Sequence, residues 1–87
     1  MQFTVWKKAG PETSAPTGAK VCTSANHRFL LVVIPHGDTS WEWEVIDRKE
    51  RSNLRFCSGK TDSEGEAHCL AQCAAMDPES FKWDDEE

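Results

Sequence analysis

Two adjacent segments with the residue patterns of β-strands constrain the fold of this chain more than any other feature. Residues 27–35, "HRFLLVVIP", are rich in β-branched and large apolar side chains and end at a proline. Residues 41–47, "WEWEVID", alternate apolar and acidic side chains, and the turn residues of "HGDTS" lie between the two segments. Because a turn this short joins antiparallel neighbours, we predict that the two segments form a hairpin.

The side-chain pattern of the two strands assigns their faces. In the second strand Trp41, Trp43 and Val45 share an inward face and the two glutamates between them point outward, which is typical of a strand with one buried and one solvated face. The first strand, residues 29–34, is apolar on both faces. It is therefore predicted to be central, or to have its second face covered by the N-terminal segment, the C-terminal tail or a second copy of the chain. In the last case the protein is a homodimer through this face.

The N-terminal part of the chain contains one strand pattern and one loop pattern. The segment "QFTVWKK", residues 2–8, alternates and predicts a short first strand with Trp6 on the opposite face from Phe3 and Val5. Residues 9–19, "AGPETSAPTGA", combine two glycines and two prolines with hydroxyl side chains. This composition predicts a long loop.

A strand and then a helix follow the hairpin. The segment "LRFCSG", residues 54–59, predicts a further strand, and in "TDSE" Thr61 and Glu64 match a capping box at a helix start. Helical spacing places small and apolar side chains on one stripe, and "DP" at 77–78 ends the helix. That stripe contains Ala67, Leu70, Ala71 and Ala74. We predict a single domain over residues 1–87, a two-layer α+β fold with an antiparallel sheet of three to four strands packed by one C-terminal helix.

The run from Phe29 to Ala75 also supports a family comparison. An apolar strand, "WEWEV", a turn, "FCSG", "TDSEGEA" and an alanine-rich helix follow one another in it. This run resembles the small bacterial YegP-like domain, whose pattern is a strand, a W-x-W strand, a short strand ending in Ser-Gly and a capped, alanine-rich helix across the sheet. The resemblance implies the same fold; the family has no well-defined chemistry, so it implies no catalytic residues. The chain departs from the family where "DRKERSN" replaces a tight Asn-Gly turn, in its first 26 residues and in its acidic tail.

The net charge of −5 is concentrated in the last eleven residues. Residues 1–76 carry nine acidic and nine basic side chains, whereas residues 77–87, "DPESFKWDDEE", carry six acidic side chains and one lysine. This distribution disfavours a basic nucleic-acid-binding domain. An acidic tail that also contains aromatic residues is typical of a segment that contacts a partner.

The four cysteines have a structural and a chemical interpretation. Cys69 and Cys73 are spaced by one helical turn and form only half of a zinc site, which needs four ligands in a tetrahedron. Cys57, Cys22 or His68 would have to complete it, and His68 points about 100° away from Cys69 on an ideal helix. Since free cysteine is among the most buried residue types, we predict cysteines in or near the core and no metal site.

No residue set predicts catalysis or a cofactor. The three histidines offer bases, but none lies in a nucleophile motif, and "SGKTDSEG" lacks the first glycine of a phosphate-binding loop. Five basic residues in and after the connection that follows "WEWEVID" could contact phosphates and would make the chain a weak nucleic-acid binder: Arg48, Lys49, Arg51, Arg55 and Lys60. Acidic neighbours weaken that alternative.

The N-terminus has no apolar stretch of signal-peptide length, and the longest apolar run, "FLLVVI", is too short to span a bilayer. We therefore expect a cytoplasmic protein without membrane contact, in a compartment where thiols stay reduced.

Because no catalytic residue set is evident and the tail is typical of a contact segment, we predict a non-enzymatic domain that acts by binding a protein partner. The predicted partner-binding residues are Phe81, Trp83, Asp84, Asp85, Glu86 and Glu87. The two aromatic residues either fold back over the second face of the central strand or contact the partner directly. One alternative is an acidic inhibitor of nucleic-acid-handling machinery, of the anti-CRISPR type that phages and mobile elements encode, because carboxylates can block a phosphate-binding groove. A zinc-binding module is a further alternative.

Overall fold

A computed structural model describes residues 2–8, 18–37, 39–48 and 55–85 of the chain. Most of the predicted loop at 9–19, most of the "DRKERSN" connection and the last two residues, Glu86 and Glu87, lie outside the described residues. The elements in chain order are β1 Lys7–Lys8, β2 Lys20–Thr23, β3 Phe29–His36, β4 Ser40–Asp47, β5 Arg55–Thr61, α1 Glu64–Met76, a 3₁₀ turn Pro78–Ser80 and β6 Asp84–Asp85.

The six strands form one antiparallel sheet in the order β1–β2–β3–β4–β5–β6, so that neighbours in the sheet are also neighbours in the sequence. The helix α1 packs on one face of this sheet against β3, β4 and β5. The predicted two-layer α+β fold is confirmed. The predicted number of three to four strands is wrong, because the four-residue β2 and the two-residue β6 were not among the predicted strands. Among the described residues, no helix has both the length and the apolar character needed to cross a membrane.

The N-terminal segment contains an extra residue that changes which side chains face the core. Phe3 forms an isolated bridge with Ser24, and this bridge and the β1–β2 pairing differ in register by one residue. An extra residue on one strand shifts the alternation of side chains beyond it. Phe3 and Trp6 therefore both pack against the core, while Val5 is 84% exposed. The prediction that Trp6 lies on the opposite face from Phe3 and Val5 is wrong for this reason.

The predicted hairpin is present as β3 and β4. Its pairs run from Phe29 with Asp47 to His36 with Ser40, so one face of the hairpin presents a continuous apolar layer to α1. That layer contains Phe29, Leu31, Val33, Trp43 and Val45, each at most 4% exposed. The face assignments made from the sequence are confirmed for both strands.

The helix begins two residues later than the capping box at Thr61 predicts. Ser63 is the N-cap, and its Oγ accepts a hydrogen bond from the backbone N–H of Glu66 at 3.3 Å. Thr61 is instead the last residue of β5, where it pairs with Trp41. The segment "TDSEGE" contains two overlapping four-residue capping patterns, and the strand β5 includes the first residue of the earlier one.

Small side chains bring α1 close to the sheet. Ala67, Ala71, Ala74 and Ala75 are fully buried, and they contact a core that also contains Cys22 and Cys57. Gly59 in β5 has the same role for Trp43, because a Cβ at Gly59 would lie 2.8 Å from the indole Nε1. Small residues in α1 and β5 therefore allow the close packing of the helix on β3, β4 and β5.

The other face of the sheet carries a smaller apolar cluster. Val21 and Val32 pair across β2 and β3 and are buried together with Ala19, while Leu30 and Ile34 are partly buried around them. On the second apolar face of β3, the chain itself buries Val32, whereas Leu30 and Ile34 are only partly buried. A homodimer through residues 29–34 remains a prediction.

Candidate functional site: the C-terminal segment

A hydrogen-bonded turn reverses the chain after α1. The backbone N–H of Asp77 donates to the carbonyl oxygen of Cys73 at 2.9 Å and ends the helix. The hydroxyl of Ser80 donates to Oδ2 of Asp77 at 2.6 Å, and the N–H of Phe81 donates to the carbonyl oxygen of Pro78 at 3.2 Å. A residue that precedes a proline is disfavoured in the helical conformation. Asp77 therefore ends the helix, and the chain returns towards the sheet at Pro78.

Two aromatic rings then attach the C-terminal segment to the core. Phe81 meets Trp43 edge to face, with ring centroids 5.9 Å apart and planes at 90°. Trp83 lies 6.2 Å from Phe29 at a tilt of 49°, and its Nε1–H donates to the carbonyl oxygen of Pro78 at 2.9 Å. The sequence predicts either partner contact or packing over the second face of β3. The structure places both rings, partly buried, on the face that α1 covers.

The acidic part of the segment follows these rings along the edge of the sheet. In β6, Asp84 pairs with Phe56 and Asp85 with Arg55, and the guanidinium of Arg55 lies 5.4 Å from the centroid of the Trp83 ring. The pairing with β5 therefore fixes the backbone direction of the segment at residues 84 and 85. The side chains at 84 and 85 and residues 86 and 87 lie outside the described part of the chain. Partner binding by these residues stays a prediction.

A buried ion pair closes the end of the hairpin beside Trp83. Arg28 donates from Nε to Oδ1 of Asp47 at 3.0 Å and from Nη2 to Oδ2 at 2.9 Å, and its guanidinium lies 4.8 Å from the centroid of the Phe29 ring. The Asp47 side chain is 4% exposed. Hydrogen bonding to this carboxylate raises the pKa of Arg28 above its ordinary value. The two residues are 19 positions apart, so only the register of the sheet shows that they meet.

The five basic residues between positions 48 and 60 do not form a single patch in the described part of the chain. Arg48 donates from Nη2 to a backbone carbonyl oxygen in the β2–β3 turn at 2.6 Å, and Arg55 is used by the contact with Trp83. Lys60 is exposed at the other end of β5, while Lys49 and Arg51 lie outside the described residues. A phosphate-binding surface made by these five side chains remains without structural support in the described part of the chain.

His68 has an unusual environment between α1 and the N-terminal segment. Its ring stacks on Trp6 with centroids 4.3 Å apart and planes at 13°, and its buried Nε2 has no hydrogen-bond partner among the described residues. Lys20 and Glu64 form an ion pair nearby, with 3.1 Å between Nζ and Oε1. Burial lowers the pKa of His68, the charge of Glu64 opposes this change and the charge of Lys20 adds to it. The ring is consequently a neutral structural group at pH 7.

The four cysteines do not converge. Cys22 and Cys57 are buried in the core, whereas Cys69 is exposed on α1 and Cys73 is half-buried. Burial raises the pKa of Cys22 to about 11. Across the described residues, no three side chains of the types His, Cys, Asp and Glu are close enough together to hold a metal ion. The convergence that the zinc-module alternative requires is therefore not formed.

Two carboxylates lie on the face of the sheet opposite α1. The carboxylate of Glu42 accepts a hydrogen bond from Nε2–H of His36 at 3.0 Å, and Glu44 is half-buried on the same face of β4. Burial raises the pKa of Glu44, and the charge of Glu42 raises it further. The two side chains make this face acidic as well as partly apolar.

We found no match to the chain among protein-family models, among curated proteins or among solved structures. The relationship to the YegP-like domain accordingly stays a prediction from the sequence.

Proposed function

We propose that this chain is a small protein-interaction domain without enzymatic activity, and that it binds a protein partner through its acidic C-terminal segment. The observation that carries the proposal is the way this segment is attached. Phe81 and Trp83 pack on the core, and β6 pairs with the edge of β5. A flexible acidic tail loses conformational entropy when it binds, whereas a segment that starts from a fixed strand loses less.

The chemistry of the segment favours a basic partner surface. Four carboxylates follow one another at residues 84–87, and the only lysine of the tail, Lys82, precedes them. A concentrated negative charge accelerates association with a positive surface and makes the binding depend on salt. In this proposal the two aromatic residues act mainly by holding the segment in place.

The test compares two variants that remove equal charge. An N-terminally tagged chain is used to capture proteins from its host, and the same experiment is made with Asp85→Asn, Glu86→Gln and Glu87→Gln combined. The control combines Asp62→Asn, Glu66→Gln and Glu42→Gln, three positions outside the C-terminal segment. A specific partner should be retained by the native chain and by the control, and its affinity for the tail variant should fall at least about tenfold, or about 1.4 kcal/mol. Equal retention of the same partner by both variants contradicts the proposal.

The acidic inhibitor of a nucleic-acid-handling machine is the second candidate, because the same segment would compete for a phosphate-binding groove. It predicts that a short DNA or RNA duplex displaces the captured partner from this chain, and that moderate salt does the same. If the partner stays bound in the presence of excess nucleic acid, the inhibitor hypothesis is wrong and the first proposal, a general protein-interaction domain, stands.

A further inference from the structure

Three sulfur atoms lie along one line of α1. Cys69, Cys73 and Met76 are spaced i, i+4 and i+7 in the helix Glu64–Met76. At about 100° per residue, Cys73 is rotated by about 40° to one side of Cys69 and Met76 by about 20° to the other side. All three side chains therefore leave the helix within about 60° of one another.

The exposure of these residues distinguishes them from core sulfur. Cys69 is exposed, Cys73 is half-buried and Met76 is 51% exposed. Of the large apolar side chains in the described residues, only Met76 and Val5 are exposed. Residues at i and i+4 are neighbours on a helix surface, so Cys69 and Cys73 lie one turn apart on the same side of α1.

The direction of helical side chains brings the third sulfur towards the other two. Long side chains on a helix point back towards its N-terminus and lie over the preceding turn. Met76, the last residue of α1, thus extends over the turn that contains Cys73. The negative end of the helix dipole is at this end, and the last turn contains no basic residue. Both features favour a bound cation.

We propose that Cys69, Cys73 and Met76 form a surface site for one soft cation, Cu(I), bound by two thiolates and one thioether. Thiolate and thioether sulfur together select Cu(I) among the biological metals. Structural zinc sites have four ligands, which are cysteine, histidine or carboxylate side chains. Of the three sulfur residues, only Cys69 and Cys73 are ligands of these types. Binding displaces one proton from each thiol to the solvent, and the copper stays in its reduced state throughout.

A disulfide is the competing use of the two thiols, and helix geometry disfavours it. Side chains at i and i+4 have Cβ atoms about 5–6 Å apart, whereas a disulfide needs about 3.5–4.5 Å. A bridging metal with sulfur bonds of about 2.3 Å each, the length found for zinc, spans the longer distance without unwinding α1.

The test is an anaerobic titration with Cu(I), supplied as its complex with bicinchoninate, whose colour disappears as the protein removes the metal. The native chain should remove one equivalent. Cys69→Ser combined with Cys73→Ser should remove none, and because Cys22 and Cys57 remain in this variant, it also tests whether the buried thiols bind copper. Met76→Leu should still bind one equivalent, with affinity lowered at least about tenfold, the lower range for lost metal-site interactions.

X-ray absorption supplies the second measurement, which does not depend on affinity. The copper in the native chain should have three sulfur neighbours and that in Met76→Leu two. Gln72→Ala, between the two cysteines on α1, is the control and should behave as the native chain does. One equivalent of copper in the double cysteine variant, or an unchanged affinity and sulfur count in Met76→Leu, would overturn the proposal. Circular dichroism checks that each variant retains the helix.

Discussion

Removing Arg28 should destabilise the fold more than its surface position implies. In Arg28→Ala, the carboxylate of Asp47, which is 4% exposed in the native chain, loses two hydrogen bonds of 3.0 and 2.9 Å. Breaking a fully buried pair costs about 3–5 kcal/mol. Because the Arg28 side chain is itself 37% exposed, water reduces this cost, and we expect a loss of about 2–3 kcal/mol in the free energy of unfolding.

The loss converts into a measurable shift. For 87 residues the entropy of unfolding makes 1 kcal/mol equivalent to about 5 °C in Tm, so Arg28→Ala should lower Tm by about 10–15 °C in a thermal melt followed by circular dichroism. Arg28→Lys keeps the charge but not the two-point contact and should lose about half as much. Glu42→Gln, which removes an exposed contact with His36, is the control and should change Tm by less than about 3 °C. A change in Tm for Arg28→Ala as small as that of the control would refute the assignment of Arg28 and Asp47 as a stabilising pair.

Two further predictions concern single positions in the core and beside the N-terminal segment. Gly59→Ala places a methyl group 2.8 Å from the Trp43 indole, so chemical denaturation should show a loss of about 1–3 kcal/mol in the free energy of unfolding from overpacking. Gly65→Ala, whose added Cβ meets only Ser63 Oγ at 3.9 Å, is the matched control. Equal stability of the two variants would contradict the close contact at Gly59. The lowered pKa of His68 means that the unfolded chain binds the proton more readily, so folding stability should fall as pH drops below about 6.5, the ordinary histidine value. His68→Phe keeps a ring against Trp6 without this proton, so its stability relative to the native chain should rise between pH 7 and pH 5, and parallel pH profiles would show that His68 does not titrate in this way.

The elements that the sequence predicts well are those with a strong local period. The β3–β4 hairpin follows from an apolar, β-branched run and an alternating segment on either side of a short turn, and the helix follows from its alanine stripe. The short strand β2 has only four residues, "KVCT", and its pairing with β3 depends on a partner that follows a turn. Four residues contain too little periodicity to separate a strand from the loop before it.

Local misassignments have equally physical causes. The face of Trp6 depends on one extra residue relative to the partner strand, which no alternation within "QFTVWKK" can reveal. At the start of α1, two capping patterns overlap and the paired strand decides between them. Both errors are one or two residues in size, yet the first moves a tryptophan from one side of the sheet to the other.

The candidate site was only partly predictable. The acidic tail and its aromatic residues are evident in the sequence, but Phe81 and Trp83 have no period that would assign them to the core. Their packing depends on the turn at Pro78 and on space beside α1. The spacing of Cys69, Cys73 and Met76 was readable from the sequence, whereas their shared exposure required the structure.

The order of the strands has a mechanical consequence. Because β1 and β6 are the two edges of a sheet built in sequence order, they are separated by five strand spacings, or about 24 Å. A force that pulls these two edges apart acts across the strands, so it opens the ladders one hydrogen bond after another instead of shearing them together. The domain should therefore extend at low force when it is pulled between β1 and β6.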